Sequence, residues 1–515
     1  MRTLALLVAL GSTLAYAQNT AADQEKVIQL GKSQNQAYKH LKTFTGKFGP
    51  RLTSSPNLAK AQEWAVGQFK SWGLKNVQLE KWGEVPVGFY RGKNQVVRMT
   101  APWNIEFQFT TPAWTPGTAG KQMVQPVLQP ETMEEFEKMK ATLPGKWVIM
   151  TRTSGLRGPQ GEAGAVERAL AEMPLAGRIY GTSDERVHTG GRFTGLTWDK
   201  LPTVPEVRIR KSDMKALVAA YRRGGPTLEL NIENHFVKGP VPQYNVIADL
   251  PGSEKPDEMV IVCGHFDSWN GPGSVGANDN GTGSSVTLEA ARLLAKSGVK
   301  PKRTIRFILW SGEEQGLLGS RAYVEKHKAE LGKISAVFND DGGTNYQGGY
   351  NILPEMKAML EPAIAPTQRA FPNLPMTLPT SPAVPRGGSS DHAPFVWAGV
   401  PAFFTIESGR ADYGYVWHTQ NDKPENSIEE YLTQSSSNAA SVALYVANAP
   451  ELMGRLPVTQ QTLQVLAPPV GAARHYFPFG EDHGHEKDGK NAHDHNDEYY
   501  EYMYDLLKRI GGSIK

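Results

Sequence analysis

Met259-Val260-Ile261-Val262-Cys263, followed at once by Gly264-His265-Phe266-Asp267-Ser268, decides how the rest of the chain is read. A short unbroken apolar run is what a strand buried on both faces requires, because no alternate residue has to meet water. Asp257-Glu258 lead into it, and its far end breaks into glycine, imidazole and carboxylate. Downstream, strand and helix patterns alternate. A helix is expected from about Ser284 to Leu294, stopped near Gly298, then a strand over Thr304–Trp310, a helix over Gly316–His327 and a strand over Ile334–Phe338. Such alternation predicts an α/β fold, a mostly parallel sheet between helical layers. Functional loops in such sheets gather at the carboxyl ends of the strands, here just after Cys263, Trp310 and Phe338.

Acids and imidazoles fall at those places. After the first strand come His265 and Asp267, with Asn278-Asp279-Asn280-Gly281 ahead of the helix; after the second, Ser311-Gly312-Glu313-Glu314; after the third, Asn339-Asp340-Asp341-Gly342. A further loop, Trp417-His418-Thr419-Gln420-Asn421-Asp422, precedes a helix expected near Ser427, where Ser427 and Glu430 have the spacing of a capping box. Imidazole with carboxylate oxygen is the donor set of catalytic zinc. Two histidines cannot saturate one ion, and with several carboxylates nearby a two-metal site is the natural arrangement. Consecutive side chains at a strand end point in opposite directions, so one of Glu313 and Glu314 can hold metal while the other reaches its water. Singly, each piece is ordinary: a lone His or Asp at a strand end is usually a loop-ordering residue, and paired glutamates before a helix usually complement its dipole. Their joint occurrence at one end of one sheet carries the reading.

These residues also carry a resemblance. Asn245-Val246-Ile247-Ala248-Asp249-Leu250-Pro251-Gly252-Ser253, Gly264–Ser268, Asn278–Gly283, Trp310–Gly316, Ser390-Asp391-His392 and His418-Thr419 resemble the co-catalytic di-zinc aminopeptidase family (metallopeptidase family twenty-eight), nearest its carboxypeptidase Q-like branch. The likeness spans about 241–450, and Arg51-Leu52-Thr53-Ser54-Ser55-Pro56 is similar to the motif that opens the family's catalytic part. The resemblance implies two Zn(2+) ions per chain: His265 and Asp341 on one, Glu314 and His418 on the other, Asp279 on both, and Glu313 as general base. Asp341 is preferred to Asp340 because it precedes Gly342-Gly343-Thr344, as the ligand does in that branch. Asp267, Asn280 and Asp391 are expected to support the ligands. Two departures matter: Asn280 stands where an acid usually follows the bridging Asp, and Trp417 where several relatives have Tyr, so any hydroxyl donor to an oxyanion must come from elsewhere. The implied activity is hydrolysis at the end of short peptides, as an aminopeptidase before a dipeptidase or carboxypeptidase. A single-zinc glutaminyl cyclase type of acyl transferase and a non-enzymatic binding module on the same fold are the rivals, and all five ligand positions being intact speaks against both.

Outward from this core the chain divides. Residues 1–17 carry a charged start, an apolar run and Ala15-Tyr16-Ala17, the pattern of a cleaved signal peptide, which implies a periplasmic or secreted protein. Residues 18–90 read as the helical N-terminal part of the peptidase domain, 91–240 as a β-rich insert with one helix near Ser212–Arg222 and a likeness to a protease-associated domain, 241–460 as the catalytic domain, and 461–515 as a His- and Asp-rich tail. A helix over Tyr499–Ile510 would dock on the body or on a second subunit, making a homodimer one expected assembly. Apolar residues at 39% and charged residues at 21% describe an ordered chain. A net charge of 55 − 52 = +3 gives no field that would draw nucleic acid. No membrane span is expected. Cys263, the single cysteine, reads as a small buried hydrophobe. Gly271-Pro272-Gly273-Ser274-Val275-Gly276 matches a dinucleotide-loop pattern, but the helix starts too late and no acid follows at the required distance.

Overall fold

The computed structural model describes residues 20–153, 161–381 and 390–456; the expected signal peptide, the His-rich tail and residues 386–389 lie outside the described residues. Seven strands form the main sheet: β1 (Lys75–Arg91), β2 (Asn234–Leu250), β3 (Lys255–His265), β4 (Arg303–Trp310), β5 (Ile334–Asn339), β6 (Tyr346–Tyr350) and β7 (Ala402–Ser408), in the order β1-β2-β4-β3-β5-β7-β6. The four central strands, β4, β3, β5 and β7, run parallel, and β1, β2 and β6 pair antiparallel at the flanks. The centre is covered on both faces, as parallel strands require: Met259–His265 and all of β4 are buried, with Arg306 of β4 paired to Asp249 at 2.8 Å.

Helices supply that cover: α1 (residues 20–34), α2 (Ala37–Phe48), α3 (Pro56–Ser71), α4 (Gly281–Ser297), α5 (Leu318–Lys326), α6 (Lys357–Ala370) and α7 (Glu429–Asn448). Phe307 of β4 stacks on Phe69 of α3 with ring centroids 6.4 Å apart. Trp310, three residues on and therefore on the opposite face, meets Tyr323 of α5 at 5.3 Å and Phe395 at 5.9 Å. Helix α4 begins where Asn280 caps it, its Oδ1 accepting from Gly283 N–H at 2.9 Å, and ends at the left-handed Gly298.

Strands β1 and β2 pair from Lys75 opposite Asp249 to Arg91 opposite Asn234, so the chain leaves the main sheet at one end of this ribbon and returns to it there. The insert between them holds a four-stranded and a five-stranded sheet and its own apolar core, including Trp147, Ile149, Ile179, Val207 and Leu217. Among the described residues it has three α-helices, Met133–Met139, Gly161–Ala171 and Lys211–Arg222, and not the single one expected. The seven-residue Met133–Met139 is too short to show an apolar period; it is set by Thr132, whose hydroxyl accepts from Glu135 N–H at 3.1 Å. A second correction concerns Ser427. It caps nothing: its hydroxyl donates to Asn278 Oδ1 at 3.0 Å, and the N–H of Ile428, at the start of α7, donates to Thr344 Oγ1 at 2.6 Å. Ser427 N–H donates to the Pro424 carbonyl at 3.0 Å, so neither half of a local capping box forms on Ser427. Among the described residues no helix is long and apolar enough to cross a membrane.

Candidate metal centre

The site forms where β3, β4 and β5 end and α4 begins. His265 is the last residue of β3, Asp279 precedes the Asn280 cap of α4, and Asp341 follows β5. Glu313 and Glu314 lie on a 3-10 turn, Glu313–Gln315, entered through the left-handed Gly312. Their divergence comes from that turn and not from the pleat of a strand end. Asn245 of β2 holds the turn from below, its Oδ1 accepting from Ser311 N–H at 3.2 Å and its Nδ2 donating to the Gly319 carbonyl at 3.0 Å. His418 comes from the loop before α7.

These residues converge as two groups of three. In the first, His265 Nε2 lies 3.1 Å from Asp341 Oδ1 and 3.3 Å from Asp279 Oδ1. In the second, His418 Nε2 lies 3.0 Å from Asp279 Oδ2 and 3.1 Å from Glu314 Oε2. Asp279 belongs to both and presents a different oxygen to each. Glu313 stands beside them, with Oε2 3.9 Å from His265 Nε2. Asp340 turns away, accepting from Gln347 Nε2 at 2.6 Å, so Asp341 is the one of the pair that faces His265.

The donor set fits divalent cations on two counts. Glu314 Oε1 is a buried carboxylate oxygen that accepts no hydrogen bond among the described residues, a costly arrangement unless a cation takes it. The charge balance points the same way. Burial and then the Asp279 charge push the Glu314 carboxyl up to about 8, and burial raises Glu313 and Asp341 as well. The imidazoles respond in kind: burial would lower His418, but Glu314 and Asp279 outweigh it and lift it to about 10. Burial would likewise raise Asp279, yet the hydrogen bonds from both histidines hold it below the usual carboxylate range. A buried acid cluster of this kind calls for compensating positive charge.

Of the residues expected to support the ligands, Asp267 does so directly: its carbonyl lies 2.9 Å from His265 Nδ1 and its Oδ1 accepts from Glu313 N–H at 3.3 Å. Asn280 works through the backbone, donating to the Asp340 carbonyl at 2.7 Å beside Asp341. Asp391 accepts from the Ser320 hydroxyl instead. Sequence spacing gave no role to several others. Thr53 Oγ1 donates to Asp267 Oδ2 at 2.6 Å, and buried Arg51 donates to the carbonyls of Phe266 and Gly276, each at 2.7 Å. Asp422 accepts from Asn278 N–H at 2.5 Å, fixing the Asp279 loop. Tyr413 packs on Gly343, where a Cβ would come within 2.4 Å of its ring. Burial, followed by the charges of Asp279, Asp341 and Glu314, raises its phenol pKa. The motif Arg51–Pro56 is the sequence signal for Arg51 and Thr53, and the loop Trp417–Asp422 that for Asp422; Tyr413 has none.

A model of peptidase family M28 matches residues 245–443, from β2 to α7. Carboxypeptidase Q from Bos taurus is 30% identical over 347 residues, which cover 64% of this chain and 72% of the bovine protein. The chain belongs to peptidase family M28. Aminopeptidase YwaD from Bacillus subtilis (strain 168) is 32% identical over 255 residues, 47% of this chain and 51% of that protein. The crystal structure of a peptidase M28 precursor from Shewanella amazonensis SB2B has the same fold, with a TM-score of 0.63 at 24% identity over 86% of this chain and 99% of that one. M28 peptidases are metallo-exopeptidases, so this chain is a hydrolase of peptides. The M28 zinc aminopeptidases use a co-catalytic pair of zinc ions, and the two groups sharing Asp279 match that cofactor in number and in donor type.

Proposed function

We propose that this M28 peptidase is an exported exopeptidase of the aminopeptidase type. In this reading His265 and Asp341 hold one zinc, Glu314 and His418 the other, and Asp279 both. The observation that carries it is the Asp279 carboxylate, whose two oxygens stand 3.3 and 3.0 Å from the Nε2 atoms of two different histidines. Bound zinc supplies Lewis acidity toward a scissile carbonyl and lowers the pKa of water. Glu313 takes the proton of the attacking water and delivers it to the leaving amine. Its position supports both tasks: it touches the cluster without belonging to either group of three, and its backbone is anchored on Asp267. The Asp267 carbonyl fixes the His265 ring, and Thr53 holds the Asp267 carboxylate in place.

The similarity to a named aminopeptidase over the catalytic part supports the amino-end reading; the carboxypeptidase and dipeptidase readings are its alternatives within the family. Export rests on residues 1–17 alone, with Gln18 as the expected first residue of the mature chain. The test is a side-by-side assay of the purified mature chain on free, N-blocked and C-blocked short peptides, with its zinc content measured. Release of amino-terminal residues from free and C-blocked peptides is expected. Cleavage of N-blocked peptides alone would defeat the aminopeptidase assignment and leave the metal site standing.

A further inference from the structure

His418 is held differently from His265. A metal-binding histidine ordinarily donates its second ring N–H to an acceptor that fixes the ring. His265 follows that rule through the Asp267 carbonyl, and its own carbonyl accepts from Ser284 Oγ at 2.5 Å. On the same side, Asn280 grips the Asp340 carbonyl and Asp340 N–H donates to the Cys263 carbonyl at 3.0 Å. That group is therefore fixed from within the main sheet and α4. His418 Nδ1, by contrast, is buried with no hydrogen-bond partner among the described residues. Beyond the Nε2 contacts with Asp279 and Glu314, its ring is set by packing, stacked on Trp417 at 4.2 Å and edge-on to Trp269 at 6.0 Å. Its backbone sits at φ 54°, in the left-handed region that non-glycine residues seldom occupy, so the surroundings must hold the loop in place.

The hold comes from the insert. Thr189 donates both its N–H, at 2.7 Å, and its Oγ1, at 3.1 Å, to the His418 carbonyl. His188 and Thr419 form an antiparallel bridge. Gln420 is gripped at four points: Val187 N–H donates to its Oε1 at 2.7 Å, its Nε2 donates to the Glu185 carbonyl at 3.1 Å and to Gln108 Oε1 at 3.3 Å, and its own N–H donates to the Val187 carbonyl at 3.2 Å. Arg186 adds a bond to the Gly414 carbonyl at 2.9 Å, earlier in the same loop.

We propose that residues 185–189 of the insert are a positioning element for one zinc site only, that of Glu314 and His418, so that this site is built between two parts of the chain while the His265–Asp341 site belongs to one. The inference rests on reading those residues as zinc ligands. It predicts unequal loss of the two ions when the insert's grip is loosened, and it assigns Thr189 and Gln420 as positioning residues.

The experiment is zinc titration of the full chain against a chelating dye. The unaltered chain is expected to bind two ions. Gln420→Leu, which removes all three side-chain bonds to the insert, is expected to weaken one ion by about 10–100-fold and leave the other unchanged. Thr189→Ala gives a smaller loss at the same site, and Thr189→Ser, which keeps the hydroxyl, restores it. The weakened ion is assigned by a second substitution: Gln420→Leu with His418→Ala keeps the tight ion, whereas Gln420→Leu with His265→Ala loses it. A merely structural role would weaken both sites together, so parallel loss, or unchanged affinity at both sites in folded Gln420→Leu, overturns the proposal. Where Gln420→Leu does not fold, unchanged affinity in Thr189→Ala does the same. An unaltered chain that binds fewer than two ions overturns both this inference and the di-zinc reading beneath it.

Discussion

At the scale of single residues, Glu313 and Glu314 are neighbours in sequence with separate placements, and the 3-10 turn after Gly312 is what separates them. Glu314 enters the group with His418 and Asp279, while Glu313 remains beside it. Replacing Glu313 by Gln keeps the shape and the hydrogen bond from its N–H to Asp267 but removes the proton carrier. Turnover is expected to fall about 10²–10⁴-fold with two zinc ions still bound. Steady-state kinetics with metal analysis on the same preparation checks this, and near-normal turnover would remove Glu313 from the mechanism. His265 and the two glutamates are legible as chemistry-bearing residues because they follow buried strands, and His418 because its loop precedes a helix at the same end of the sheet. Spacing leaves Asp340 and Asp341 side by side; in the fold Gln347 occupies Asp340 and Asp341 faces His265, which supports Asp341 as the proposed ligand.

At the scale of elements, the N-terminus of α4 and the end of β5 form one joint. Gly283 allows it: a Cβ there would lie 2.1 Å from the Asp340 carbonyl oxygen and 2.5 Å from Asn280 Oδ1. Gly283→Ala is expected to destabilise the fold by about 1–3 kcal/mol through overpacking and to weaken zinc at the His265–Asp341 group, because the displaced carbonyl belongs to the residue before Asp341. Thermal melting and zinc titration together test this; a variant unchanged in both would mean that the joint has slack. The helix α4 was readable from its apolar spacing and Gly298, whereas its true start at Gly281 depended on Asn280, whose side chain caps the helix and holds Asp340 at once. The start of α7 could not be read from Ser427, because Thr344 and Asn278, each more than 80 positions away, took the local partners.

At the scale of the whole molecule, the two groups of three draw together the ends of β3 and β5, the turn after β4, the start of α4 and the loop before α7. Ions bound there join segments that the chain otherwise connects only through long excursions. Zinc binds the folded state selectively, so chelation is expected to lower the melting temperature, and zinc at about 100 times its dissociation constant is expected to return about 2.7 kcal/mol. Differential scanning calorimetry with and without chelator measures it; an unchanged transition after complete metal removal would count against the site. The insert is a second body with its own core, yet it reaches back to His418.

What the sequence by itself determined is the kind of fold and the kind of chemistry. Unbroken apolar runs alternating with helical periods dictate a sheet covered on both faces, and the identities of His265, Asp279, Glu314, Asp341 and His418 dictate which donors a metal would meet. Only the tertiary structure decided that Asp279 offers one oxygen to each histidine, that Asp341 faces inward, and that an insert residue 229 positions away grips His418. The physical reason is range: periodicity and capping act over a few residues, whereas convergence of side chains is set by how buried surfaces pack, and a single chain's spacing holds no measure of that distance.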